Sequence, residues 1–314
     1  MRDLFREGLA SGWKHIDASD LTADARYEAD VAIIGSGAGG GVTAEILAQA
    51  GLKVIIVEEG PLRTTGDFQM READAYPSLY QESAARKTAD KAVNILQGRC
   101  VGGSTTVNWT SSFRTPPDTL RWWQSAHGLQ SLSVDAMAPW FARMEKRLHV
   151  GLWPIPPNEN NAMLARGAEK LNIPVAVIPR NVKQCWNLGY CGMGCPTNAK
   201  QSMLLTTLPA ALDLGATLIS RLRAERLEFD GRRASRLIAS ALKIDGLNTS
   251  GVRVTVEARH FVLAGGAINT PALLLRSKAS DPHKHLGKRT FLHPTLISSG
   301  LFAQEIRAYA GAPQ

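Results

Sequence analysis

The densest chemical signal in this 314-residue chain is the run Gly35-Ser36-Gly37-Ala38-Gly39-Gly40-Gly41, in which Gly35, Gly37 and Gly40 stand at G-x-G-x-x-G spacing. Each of the three has a separate task. Gly35 permits a tight turn, Gly37 lets the backbone approach a pyrophosphate, and Gly40 lets a helix pack closely on a strand. The helix that follows offers unpaired N–H groups, starting near Ser36 and Ala38, to the anion. Asp30–Ile34 (DVAII) reads as a buried strand before the turn, Val42, Ile46, Leu47 and Ala50 as one side of a helix after it, and Lys53–Val57 (KVIIV) as a second strand ending on Glu58. Glu58 is placed to accept hydrogen bonds from ribose hydroxyls and would repel the ribose phosphate of NADP. This strand-helix-strand unit predicts a dinucleotide site without separating FAD from NAD.

A second glycine turn lies in Gln97–Arg114 (QGRCVGGSTTVNWTSSFR), where Gly102-Gly103-Ser104 can form a backbone nest for phosphate, Arg99 supplies a cation and Asn108 a hydrogen-bonding side chain. Together with DVAIIGSGAGG and the VEEGP of 57–61, this segment resembles the first signature of the glucose-methanol-choline (GMC) family of flavoproteins. His260–Ser277 (HFVLAGGAINTPALLLRS) resembles the second signature, a buried strand, a turn at Gly265-Gly266 and a helix. The resemblance runs from Asp30 to Phe302. It implies FAD as cofactor, with Arg99, Gly103, Ser104 and Asn108 along the pyrophosphate and flavin ring, a residue near Ala224 meeting the adenine through its backbone, and Gly265 at the third turn.

The same resemblance implies oxidation of an alcohol CH–OH group, with hydride passing to the flavin and electrons then to oxygen, a quinone or a redox protein. Such a reaction needs a base for the hydroxyl proton. Members of the family carry that histidine in a C-terminal segment that has no counterpart before Gln314, so the chain is expected to be a truncated enzyme and no catalytic residue is named. His293 is read as structural. Two alternatives stay open: an FAD-binding fragment without turnover, and an electron-transferring dehydrogenase subunit. The second rests on Cys185, Cys191 and Cys195, whose C-x5-C-x3-C spacing could wrap an iron-sulfur cluster, against a plainer reading as buried thiols or one disulfide, or a zinc site. No metal is expected, and Cys100 reads as a small core residue.

The elements that must position these residues follow from the surrounding pattern. Ala216–Arg221, Ala224–Phe229, Arg236–Ile244 and Val252–Ala258 read as strands, with turns at Asp230-Gly231 and Asp245-Gly246. The expected fold is α/β, a Rossmann-like FAD/NAD(P)-binding domain with a partial cap/substrate domain. Residues 29–114 and 200–296 form the FAD-binding domain, 115–199 and 297–314 the partial cap, and 1–28 an N-terminal extension. The stretch carrying Trp122, Trp123, Trp140 and Trp153 is expected to be irregular and packed by its indoles.

Composition bounds the partners. With 44% hydrophobic and 20% charged residues the chain can bury a core. Its net charge of +8 comes partly from Arg221, Arg223, Arg226, Arg232, Arg233 and Arg236, which alternate with apolar residues as a solvated strand face does, so no nucleic-acid partner is expected. The first residues carry charges throughout and resemble no export leader, no stretch is apolar enough to span a bilayer, and four cysteines are too few for a disulfide scaffold. A cytoplasmic protein acting on a small-molecule alcohol is the resulting expectation.

Overall fold

The computed structural model describes residues 2–293, 295, 297–309 and 311. In chain order the first elements are α1 (Leu4–Ala10), β1 (Lys14–Asp17), β2 (Ala25–Ile34), α2 (Ala38–Gln49), β3 (Val54–Val57), α3 (Glu72–Leu79) and α4 (Ser104–Val107). They are followed by α5 (Pro117–His127), α6 (Val134–Arg147), β4 (Val150–Gly151), α7 (Glu159–Lys170) and β5 (Arg180–Asn181). The chain continues through α8 (Thr207–Asp213), β6 (Thr217–Ser220), β7 (Leu222–Asp230), β8 (Arg233–Leu242), β9 (Thr249–Leu263) and α9 (Gly266–Arg276). By its contacts the chain divides into two units. The first comprises Met1–Val107, Gly192–Pro196 and Met203–Gly300; the second comprises Asn108–Cys191, Thr197–Ser202 and Leu301–Gln314.

The first unit is built on a seven-stranded sheet of order β1-β6-β3-β2-β9-β8-β7, parallel from β1 to β9 and antiparallel from β9 to β7. The change of direction shows in the residues. VAII of β2 and VIIV of β3 are buried without a break, as strands covered on both faces must be. Ala32, Ile34, Ile55 and Val57 join the core that holds Leu237, Ala239, Val254, Val256 and Leu273. The alternate residues Ile33 and Ile56, equally buried, face the other way, and α2 packs on β2, β3 and α8. In β9, by contrast, Val254 and Val256 are buried between Arg253, Thr255 and Glu257, the alternation of a strand with one wetter face. This strand is the hinge of the topology, since 254–257 pair with β2 on one side and β8 on the other.

The N-terminal residues are part of this sheet and not an appendage to it, because β1 pairs in parallel with β6 and closes its edge. KHID carries little strand signal of its own; the pairing supplies it. His15 Nε2 lies 2.9 Å from Ser220 Oγ on the adjacent strand, and burial pushes the imidazole below its ordinary 6.5, with Asp17 opposing and Arg221 reinforcing the shift. A histidine held neutral in the fold stabilises above the unfolded value, and that contribution is lost as pH falls from 6.5 through the folded one. Between pH 7.5 and 5.5 the urea midpoint of the wild type should therefore fall further than that of His15→Gln; equal slopes would show that His15 carries no linkage.

The second unit is helical where an irregular stretch was expected. Pro117 stands at the first turn of α5 and Gly128, at φ 66°, ends it. Ser133 and Asn158 cap α6 and α7 by accepting from Ala136 N and Asn161 N. Of the four indoles, Trp123 and Trp153 are half-buried, while Trp122 and Trp140, each 57% exposed, do not pack as anticipated. Among the described residues no helix is long and apolar enough to cross a membrane.

Candidate functional site

A cavity of about 560 Å³ opens in the first unit at the carboxyl ends of β2, β3 and β9, the place where open parallel sheets bind ligands. Three turns without side chains make its floor. At the first, Gly35 N donates to Val57 O and Ala264 N to Ile34 O, drawing the ends of three neighbouring strands together. Gly35 sits at φ 103°, and a Cβ there would lie 2.4 Å from Ala264 O, so only glycine fits. Gly37 then caps α2 with no side-chain hydrogen bond, leaving the first N–H groups of a 12-residue helix for a ligand. At the second turn Gly103, at φ 54°, approaches so closely that its Cβ would stand 2.8 Å from Gly37 Cα, and Ser104 Oγ accepts from Gly98 N. Gly265 and Gly266 start α9 as the third turn.

Gly35, Ser36, Gly37, Ala38, Glu58, Gly103, Ser104, Ala224 and Gly265 are all brought to this cavity. Two of them work differently from the sequence expectation. Ser36 is fully buried; its N and Oγ donate to Glu58 Oε2 at 3.0 and 2.6 Å, and its Oγ accepts from Gly102 N. Glu58 Oε1 accepts from Gly60 N at 2.8 Å. The carboxylate thus ties both glycine turns to the end of β3, and of its roughly four acceptor positions one remains, on Oε1, for a hydroxyl. Burial pushes the Glu58 carboxyl above its usual range, against the three hydrogen bonds that favour its anion. Ala224 lines the cavity, and its carbonyl accepts from Arg276 Nη2 at 3.0 Å.

The remaining three sequence candidates lie elsewhere. Gly40 is inside α2, where its Cβ would meet Gly35 O at 1.9 Å; it serves the helix-strand contact. Arg99 is buried and turned away, its Nε on Glu59 Oε1 at 3.0 Å and its Nη2 on the Gly246 carbonyl. Asn108 belongs to the second unit, where its carbonyl accepts from Lys200 Nζ at 2.6 Å. The cations in the cavity wall are Arg86, Arg223 and Arg276. Arg86 Nη1 bridges Gln97 Oε1 and Asn269 Oδ1 at 2.9 and 3.1 Å. Gln97 and Asn269 fall within the two signature segments and could have been singled out there. Arg86 falls in no pattern, and only the fold brings it in.

Outside the cavity, Cys100 is buried and Cys185, Cys191 and Cys195 are half-buried. Among the described residues no group of three or more His, Cys, Asp or Glu side chains is placed to hold a metal ion. His293 is exposed. The donor set of the cavity, side-chain-free turns at two helix N-termini with a carboxylate and guanidinium groups beside them, suits the pyrophosphate and sugar hydroxyls of a dinucleotide, and the volume lies in the usual range for cofactor sites.

Comparison with known proteins agrees with that geometry. The GMC oxidoreductase family model matches residues 76–295. An uncharacterized GMC-type oxidoreductase of Sinorhizobium fredii is 31% identical over 92% of this chain and 56% of its own length. A long-chain-alcohol oxidase of Arabidopsis thaliana is 30% identical over 97% of this chain and 41% of its own. Among solved structures, a pyridoxine 4-oxidase from Mesorbium loti superposes with a TM-score of 0.59 at 20% identity, covering 80% of this chain and 52% of that one. The chain thus spans about half the length of the relatives it matches.

Proposed function

This chain belongs to the GMC oxidoreductases, a family of FAD-binding flavoproteins, and from that premise we propose that it holds FAD in the cavity below β2, β3 and β9 as part of an enzyme oxidising an alcohol CH–OH group. The observation that carries the reading is the meeting of Gly37, Gly103 and Gly265 in one cavity whose walls admit no Cβ at Gly35 or Gly103. The N–H groups at the start of α2 receive the pyrophosphate, the free acceptor of Glu58 takes a ribose hydroxyl, and Ala224 lines the adenine end. Arg99 acts at one remove, by fixing Glu59 and the 246 turn. Once bound, a flavin supplies the acceptor for a hydride from the alcohol carbon. The substrate class favoured is a longer, apolar alcohol with oxygen as electron acceptor, on the strength of the Arabidopsis relative's name.

One observation favours a second reading, flavin binding without turnover: no histidine lies in the cavity wall among the described residues, so no base for the hydroxyl proton is assigned. A visible absorption spectrum of the purified chain, followed by addition of a long-chain alcohol without oxygen, tests both. A flavin spectrum bleached by alcohol is the expected result for the complete reaction. An unbleached one would select the second reading, and a colourless folded protein would sink FAD binding by this chain.

A further inference from the structure

The second unit contains a charged group that the cofactor site does not use. Arg180 on β5 is 1% exposed, yet no carboxylate among the described residues pairs with it. Its Nε donates to Thr110 Oγ1 at 2.8 Å, its guanidinium carbon stands 5.1 Å from the centre of the Trp153 ring, and its Nη1 is buried with no hydrogen-bond partner. The remaining nitrogen, Nη2, points at Cys191 Sγ, 3.6 Å away. Close by, the buried Lys200 donates through Nζ to the Cys191 carbonyl at 2.6 Å and holds that residue's backbone in place. A buried cation without a counter-ion is destabilising, and the penalty falls whenever negative charge develops beside it. Among the described contacts of Arg180, the half-buried Cys191 sulfur is the atom able to develop that charge.

We propose that Cys191 is a peroxide-reactive thiol activated by Arg180. In the reaction Cys191 Sγ attacks one oxygen of hydrogen peroxide; an S–O bond forms and the O–O bond breaks. Sulfur gives up two electrons, peroxide takes them, and the departing hydroxide leaves as water with the thiol proton, giving sulfenic acid. Arg180 Nη2 faces the sulfur as its charge grows. Cys185 and Cys195 are also half-buried and serve as internal references.

The test uses the full chain, with hydrogen peroxide as reagent and dimedone to trap sulfenic acid, so it does not depend on turnover or on bound flavin. Peptide mass spectrometry should show Cys191 trapped at least about tenfold faster than Cys185 or Cys195, the advantage expected of a thiol beside an unpaired arginine. Arg180→Gln should erase most of that advantage while leaving the two reference rates alone. Should that variant fail to fold, the wild-type ratio decides by itself. Equal rates at the three thiols, or a Cys191 rate unchanged in a folded Arg180→Gln, would overturn the proposal.

Discussion

Gly37→Ala should leave the protein folded and strip it of flavin, whereas Gly40→Ala, three residues along and inside α2, should damage the fold itself. At Gly37 the backbone has φ −70°, which any residue accepts, and an added Cβ would find only Gly103 Cα at 3.8 Å, an ordinary contact. The stability of the apoprotein should change by no more than about 0.5 kcal/mol, as for substitutions that create no clash. That methyl group nevertheless stands between two turns that both line the cavity, where a pyrophosphate must reach the backbone. Flavin affinity should drop about 10- to 100-fold, equivalent to about 1.4–2.8 kcal/mol. At Gly40 the Cβ would meet Gly35 O at 1.9 Å and Ala264 Cβ at 3.3 Å. Relief requires α2 to lift from β2, at a cost on the order of 4 kcal/mol or more. Thermal unfolding of the apoproteins and the flavin-to-protein absorbance ratio separate the two effects. A Gly37→Ala protein with a full complement of flavin would remove the pyrophosphate from the start of α2.

Glu58→Ala should be the most destabilising of the polar substitutions at the site. It orphans two backbone donors, Ser36 N and Gly60 N, and the Ser36 hydroxyl, on residues that are all buried. Each buried unpaired donor costs about 1–3 kcal/mol. Removing a carboxylate whose charged form burial disfavours offsets part of this, so a net loss of about 2–4 kcal/mol in denaturant unfolding is expected. The pH dependence gives a second check. Because the folded-state value of Glu58 is raised above its ordinary 4.5, the advantage of the wild type is full below that value and shrinks as pH rises through the folded one. A gap between wild type and Glu58→Ala that widens over that interval would contradict the raised value, and a loss below about 0.5 kcal/mol would contradict the clamp.

Much of the site was legible before any coordinates. Gly35, Gly37 and Gly40 and the strands beside them form one local unit, in which backbone demands fall on neighbouring residues and so leave a readable spacing. The antiparallel strands β7 and β8 were legible for a similar reason, since their turns at Gly231 and Gly246 need positive φ and glycine supplies it. The N-terminal edge strand was not, because KHID becomes a strand only by lying along β6. Nor were α5 and α6, where Pro117 sits at a helix start, Pro139 lies inside a helix and Trp122 and Trp140 stand on exposed faces, nor α7, which holds neither residue type.

By itself, then, the sequence determined the kinship, the class of cofactor and the three glycine turns, because excluding a Cβ is a property of the residue type. Tertiary structure alone decided the charges. It sent Arg99 to Glu59 and the Gly246 carbonyl, brought Arg86 to the cavity, made Glu58 the tie between two turns, and set Arg180 beside Cys191. A long side chain swings over several ångströms from its Cα, and which partner it meets depends on segments remote in the chain. No local spacing encodes that choice.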